Sequence, residues 1–162
     1  MKKVSNISVV LSCLIAALAA AAAGMGIFWK GVGQGSEFVT LRGETVTLYG
    51  HGLYEFDTVS TAAQAMAQDA VTLLVGIPLL LISVMLFRKG SLRCKLLLSG
   101  TLAYFLYTYA SFAFGAAYND LFLVYVSLFS LSLFAFIFAL KEIDIPALPK
   151  HFSSDLPRRT IS

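Results

Sequence analysis

Charge is scarce in this chain, and the residues that anchor redox and metal chemistry are scarcer. Only 13% of residues are Asp, Glu, Lys or Arg, against about 25% in an ordinary soluble domain. The two histidines, His51 and His151, both lie outside the apolar runs, so a haem clamped between membrane helices by paired histidines is excluded. The two cysteines, Cys13 and Cys94, sit far apart with no CxxC, which removes a disulfide framework and quinone-linked dithiol chemistry. No Walker-type loop occurs, "GMGIFWKG" lacks the strand–turn–helix setting of a dinucleotide fingerprint, and no GxSxG supports a serine hydrolase. No cofactor is expected.

What is present is apolar surface. Hydrophobic residues make up 58% of the chain and the mean hydropathy is +0.80. One soluble core of 162 residues cannot absorb that excess, so a lipid bilayer must act as solvent. Four runs are long enough to cross about 30 Å of hydrocarbon: 7–28, 70–87, 96–117 and 121–140. The first resembles a signal peptide in its "MKK" start, but it outruns the usual h-region and reads as an uncleaved anchor. The expected fold is all-α: an antiparallel four-helix transmembrane bundle over residues 1–140, with an irregular cytoplasmic tail at 141–162.

The basic residues punctuate these runs rather than forming a face for nucleic acid. Lys2 and Lys3 precede the first run; Arg88, Lys89, Arg93 and Lys95 cluster in an 88–95 loop; Lys141, Lys150, Arg158 and Arg159 follow the fourth. By the positive-inside rule both termini and the 88–95 loop are cytoplasmic, in a cell (plasma or inner) membrane. The segment 29–57 then faces outward. There "FVTL" and "TVTLYG" alternate apolar and polar residues around Arg42-Gly43-Glu44, which predicts a β-hairpin roofing the helices. Asp57, with Thr58 and Ser60, supplies N-cap chemistry for a helix that continues through the second run. Asp69 is then placed near the outer interface.

At about 100° per residue, each span collects its small and polar residues on one face. In the second these are Thr61, Ala65, Gln68, Asp69, Thr72, Gly76 and Ser83. In the third they are Gly100, Tyr104, Tyr107, Thr108, Ser111, Gly115 and Tyr118. The first shows Ser5, Ser8, Ser12, Ala16, Ala19, Ala23 and Gly26, and the fourth Asn119, Ser127 and Ser130 opposite Tyr125 and Phe129. Lipid offers no hydrophobic force between helices, so such faces serve close approach and interhelical hydrogen bonds.

Because the polar residues crowd the outer end, a ligand site is expected between helices two, three and four. Its residues are Gln68, Asp69, Thr72, Tyr107, Thr108, Ser111, Tyr118 and Asn119. It would take a small molecule, a lipid headgroup or a partner's segment, with Asp69 as charge or acceptor. The competing reading of Asp69 is a structural bond to Tyr107 or Tyr118 that locks helices two and three. His51, Glu55 and Asp57 form a weaker metal-ligand candidate.

A structural or accessory subunit is the alternative function, using Ala16, Ala19, Ala23 and Gly26 as a face for a membrane-protein partner or a second copy. A membrane enzyme with Asp69 as general base is the third reading, and it has no nucleophile or metal beside it. The span number and β-rich outer segment are similar to the layout of claudin-like proteins, and the span number to vitamin K epoxide reductases. The outer segment lacks the claudin cysteine pair and the chain lacks the reductase's redox cysteines, so neither resemblance implies an activity.

Overall fold

The computed structural model describes residues 6–29, 31, 33 and 35–146. Ser5, Lys2, Lys3, Lys150, Arg158, Arg159 and His151, with most of the 141–162 tail, lie outside the described residues. Four helices are long and apolar enough to span a membrane: α1 Asn6–Phe28, α2 Val59–Phe87, α3 Leu92–Gly115 and α4 Phe122–Lys141.

Local chemistry sets the helix boundaries. Thr58, in extended conformation, caps α2 by accepting the Thr61 N–H at 3.3 Å. The expected cap, Asp57, instead accepts the backbone N–H of Ala117 at 3.0 Å and ties the start of α2 to the α3–α4 connection. Ser91 caps α3 through the Cys94 N–H. Within α2, Pro78 has no N–H to bond back one turn. The five residues Thr72–Gly76 just ahead of it form a π turn, in which the Ile77 N–H reaches Thr72 O.

The start of α3 and the end of α4 meet where Lys95 Nζ donates to the Glu142 carbonyl. Their other ends meet where Phe112 stacks on Tyr125 at 4.9 Å between ring centroids. The core runs between the helices through Ile15, Ala19, Leu80, Phe87, Leu98 and Leu128, all fully buried. The α1 face of small residues, Ala16, Ala19, Ala23 and Gly26, is consumed inside the bundle. The surface expected to receive a partner is therefore already occupied.

The 29–57 segment forms the predicted hairpin, β1 Glu37–Val39 paired antiparallel with β2 Thr45–Thr47, Phe38 facing Val46. Gly43 turns the chain at φ +82°, a conformation open to glycine at no steric penalty. The hairpin does not roof the helices, however; Phe38, Val39 and Leu41 are exposed. The insertion is made further on by a short 3₁₀ turn, Gly52–Tyr54, which buries Leu53 and Tyr54. Three alternating residues per strand bury too little to anchor a sheet, whereas one tyrosine carries enough apolar area to do so.

The fourth helix departs most from expectation. Its buried face is Tyr125, Leu128, Ser132, Ala135 and Ala139, at helical spacing, while Ser127 is exposed. Ser127 donates to the Leu123 carbonyl one turn back at 2.8 Å, so it can face lipid without an orphaned hydroxyl. The large ring of Tyr125 fills the interior instead.

Candidate functional site

The residues predicted to share one site divide into two groups on neighbouring faces of α2. Asp69 is 3% exposed and turns toward α1. Its Oδ2 accepts the Tyr54 hydroxyl at 2.5 Å, and the Tyr125 hydroxyl lies 3.5 Å from that of Tyr54. Gly26 makes the space: a methyl there would overlap Asp69 Oδ2 and come within 2.8 Å of Tyr54 Oη. The Tyr54 ring stacks on Phe112, which stacks on Tyr125. Burial first, then the neighbouring Tyr125 and Asp69, push the Tyr54 phenol far above its usual range, so Tyr54 is a neutral donor. This is the geometry of a lock. It joins α1, α2, α4 and the 29–57 segment, with Tyr54 in the part expected of Tyr107 or Tyr118.

The second group faces α3. Gln68 Nε2 donates to Tyr104 Oη at 2.7 Å and to Thr108 Oγ1 at 3.2 Å, and Thr72 Oγ1 lies 3.0 Å from Tyr104 Oη. Above this bridge a groove of about 310 Å³ opens between α2 and α3. Gln64, Gln68, Tyr107, Thr108 and Ser111 line it, and Asp57 stands among its lining residues. Four of the predicted site residues therefore share this groove: Gln68, Tyr107, Thr108 and Ser111. Thr72 sits in the bridge beneath it. Tyr118, 75% exposed, packs against Phe122, and Asn119 is buried in the α3–α4 connection, where its Oδ1 accepts the Leu121 N–H.

Asp57 is the residue whose role in this groove the sequence hid. It is 6% exposed, yet its Oδ2 has no hydrogen-bond partner among the described residues. Burial raises its carboxyl above the ordinary aspartate range, while the Ala117 N–H pulls the other way. Asn119 Nδ2 in the α3–α4 connection, Ser8 Oγ on α1 and Ser132 Oγ on α4 are likewise buried without a partner among the described residues, but none of these residues lines the groove. His51, Glu55 and Asp57 do not converge: no group of three or more His, Cys, Asp or Glu able to hold a metal occurs among the described residues. His51 places its ring edge-on to Tyr49 at 5.5 Å.

Tyr54 was also missed. It lies in "YGHGLYEFD", with no periodicity to mark an inward residue. The only signal is an aromatic residue just after two glycines, Gly50 and Gly52, both at positive φ.

Comparison with family models, with curated proteins and with solved structures finds no match for the chain.

Proposed function

We propose that this is a multi-pass protein of a cell membrane, an antiparallel four-span bundle with both ends in the cytoplasm, that holds a ligand in the α2–α3 groove without transforming it. The basic cluster Arg88, Lys89, Arg93 and Lys95 between α2 and α3 supports that orientation. In that orientation the groove would open toward the outer side.

The observation that carries the reading is Asp57: a carboxylate with one buried oxygen lacking a partner, on the wall of a groove that also presents amides and hydroxyls beside Ala65, Phe112 and Ala116. Buried polar atoms are nearly always satisfied, and an orphan among open polar walls is the mark of a missing partner. Asp57 thus takes the acidic role first expected of Asp69, and Asp69 takes the structural one. The groove has amide and hydroxyl contacts to orient a bound group, and no nucleophile–base pair, which favours binding over catalysis.

The test uses Gly115, a groove residue at which an added Cβ meets nothing within 4 Å. Gly115→Leu adds bulk to the groove wall at a position whose Cβ meets no neighbour. Purified wild-type protein in mild detergent is expected to gain unfolding temperature when lipid extract from its native membrane is added, and Gly115→Leu is expected to gain none. Equal gains in both would place binding elsewhere and defeat the reading.

A further inference from the structure

The α2–α3 seam does not end at the polar groove. Below the Gln68–Tyr104–Thr72 bridge a second groove of about 340 Å³ opens between the same two helices, lined by Val71, Val75, Leu79, Leu97, Gly100 and Tyr104. The residues of the two grooves fall on one stripe of each helix: Thr61, Gln64, Gln68, Val71, Val75 and Leu79 on α2 recur at steps of three and four. The two grooves share no lining residue but follow one seam, a furrow interrupted by the bridge, with the more polar groove on one side of it and the apolar one on the other. Val71 to Leu79 spans about 12 Å at 1.5 Å per residue, close to the roughly 15 Å hydrocarbon depth of one leaflet.

The hydrogen-bond inventory of the polar end says what kind of head it takes. Gln68 spends its amide hydrogens on Tyr104 and Thr108. Ser111 donates to the Tyr107 carbonyl and Thr61 to the Thr58 carbonyl. What is left over includes the Tyr107 and Thr108 hydroxyl hydrogens and one Gln64 N–H, but its one charged candidate is an acceptor, Asp57, beside hydroxyl lone pairs and amide carbonyls. Among the described residues, no Lys, Arg or His lines either groove. Such a site repels an anion and calls for a group that donates hydrogen bonds and carries positive charge.

We propose that the furrow binds a lipid with a primary ammonium headgroup, its N–H groups on Asp57 and the hydroxyl oxygens above the bridge and one acyl chain lying past Tyr104 against Val75, Leu79 and Gly100. This rests on the groove reading above and names its ligand class. Asp57 supplies a charge-assisted acceptor, the strongest kind of hydrogen bond open to an ammonium. A quaternary ammonium offers charge without N–H donors, and an anionic head offers neither.

The experiment is native mass spectrometry of the whole chain in mild detergent, with an equimolar mixture of phosphatidylethanolamine, phosphatidylcholine and phosphatidylglycerol bearing identical acyl chains. Wild type is expected to retain the ethanolamine lipid about tenfold over the other two, the scale of one hydrogen bond to a charged group. Asp57→Asn keeps the Oδ1 bond to Ala117 and is expected to bring the three lipids to parity at unchanged unfolding temperature. Gly100→Leu, at a position where a Cβ meets nothing within 4 Å, is expected to lose all three. Retention of phosphatidylglycerol at wild-type parity, or a preference that survives Asp57→Asn, overturns the headgroup assignment and leaves the groove reading intact. Stabilisation by ethanolamine alone with no lipid retained overturns the acyl-chain assignment. Lipid binding that neither Gly100→Leu nor Gly115→Leu reduces removes both readings together.

Discussion

The backbone of Gly26 on α1 lies against the carboxylate of Asp69 on α2 so closely that no methyl fits between them. The contact places an acid inside the helix bundle at a point where one helix has surrendered its side chain. Gly26→Ala must push Asp69 off Tyr54 or spread α1 from α2. Overpacking of this kind costs about 1–3 kcal/mol. Thermal unfolding in detergent should show that loss, and pairing it with Asp69→Ala should recover part of it, because the two sites share one space.

Removing the donor should be as damaging as removing the space. Tyr54→Phe leaves Asp69 Oδ2 buried without the hydroxyl that now satisfies it. An orphaned buried acceptor costs about 1–3 kcal/mol. Tyr125→Phe removes only the long 3.5 Å contact and keeps the stacked ring, so it should be the milder change. An unfolding series in which Tyr125→Phe is the worse of the two would contradict the lock.

Asp57 should reveal itself in the pH dependence of stability. Its folded carboxyl holds its proton above the ordinary aspartate value because burial disfavours the charge. The folded chain thus binds that proton more tightly than the unfolded chain does. This group's contribution to stability is complete below the ordinary value and is lost as pH rises through the raised one. Asp57→Asn should flatten that part of the pH profile and unfold at a temperature equal to or above wild type at neutral pH. A clear loss at neutral pH would show that the ionised group supports the fold.

The bridge between α2 and α3 is open to a double-mutant cycle. Gln68→Ala and Tyr104→Phe each cut the 2.7 Å bond, and their coupling should be about 0.6 kcal/mol, typical of interhelical hydrogen bonds in membranes. A coupling of zero would mean that the bridge adds nothing to packing.

Orientation has a direct readout. In a Cys13→Ser, Cys94→Ser background, Leu41→Cys at the exposed hairpin tip should react with an impermeant maleimide on intact cells. Gly90→Cys, in the basic loop, should react only after permeabilisation. Reversed labelling would turn the bundle over and move the furrow to the cytoplasmic leaflet.

Much of the fold was legible because bilayer thickness writes itself into run length. The four helices and the hairpin around Gly43 follow from hydrophobic runs and period-two alternation. The second helix begins ahead of its strongly apolar run, at Val59, as the cap chemistry at 57–60 pointed to, because Val59–Asp69 mixes alanines with Gln64, Gln68 and Asp69. Facing was legible on α1, whose small residues Ala16, Ala19, Ala23 and Gly26 are buried, and elsewhere where polar side chains had partners on another helix. Gln68 and Thr108 obey the stripe because they bond each other. Ser127 and Ser130 mislead because each closes on its own helix backbone and needs no neighbour. Tyr125 misleads in the opposite sense, as a large ring counted as lipid-facing that serves as interior filling. Tyr54 was beyond periodicity altogether, since a single inward residue in an irregular segment has no repeat to detect.

That tyrosine makes the two halves of the chain depend on each other. Tyr54 belongs to the connection between the first two helices, yet its ring and hydroxyl meet Asp69 of α2, Phe112 of α3 and Tyr125 of α4. Its seat is built from both halves, so neither helical pair supplies all the walls alone. One side chain from an irregular stretch thus serves as a common keystone of the bundle.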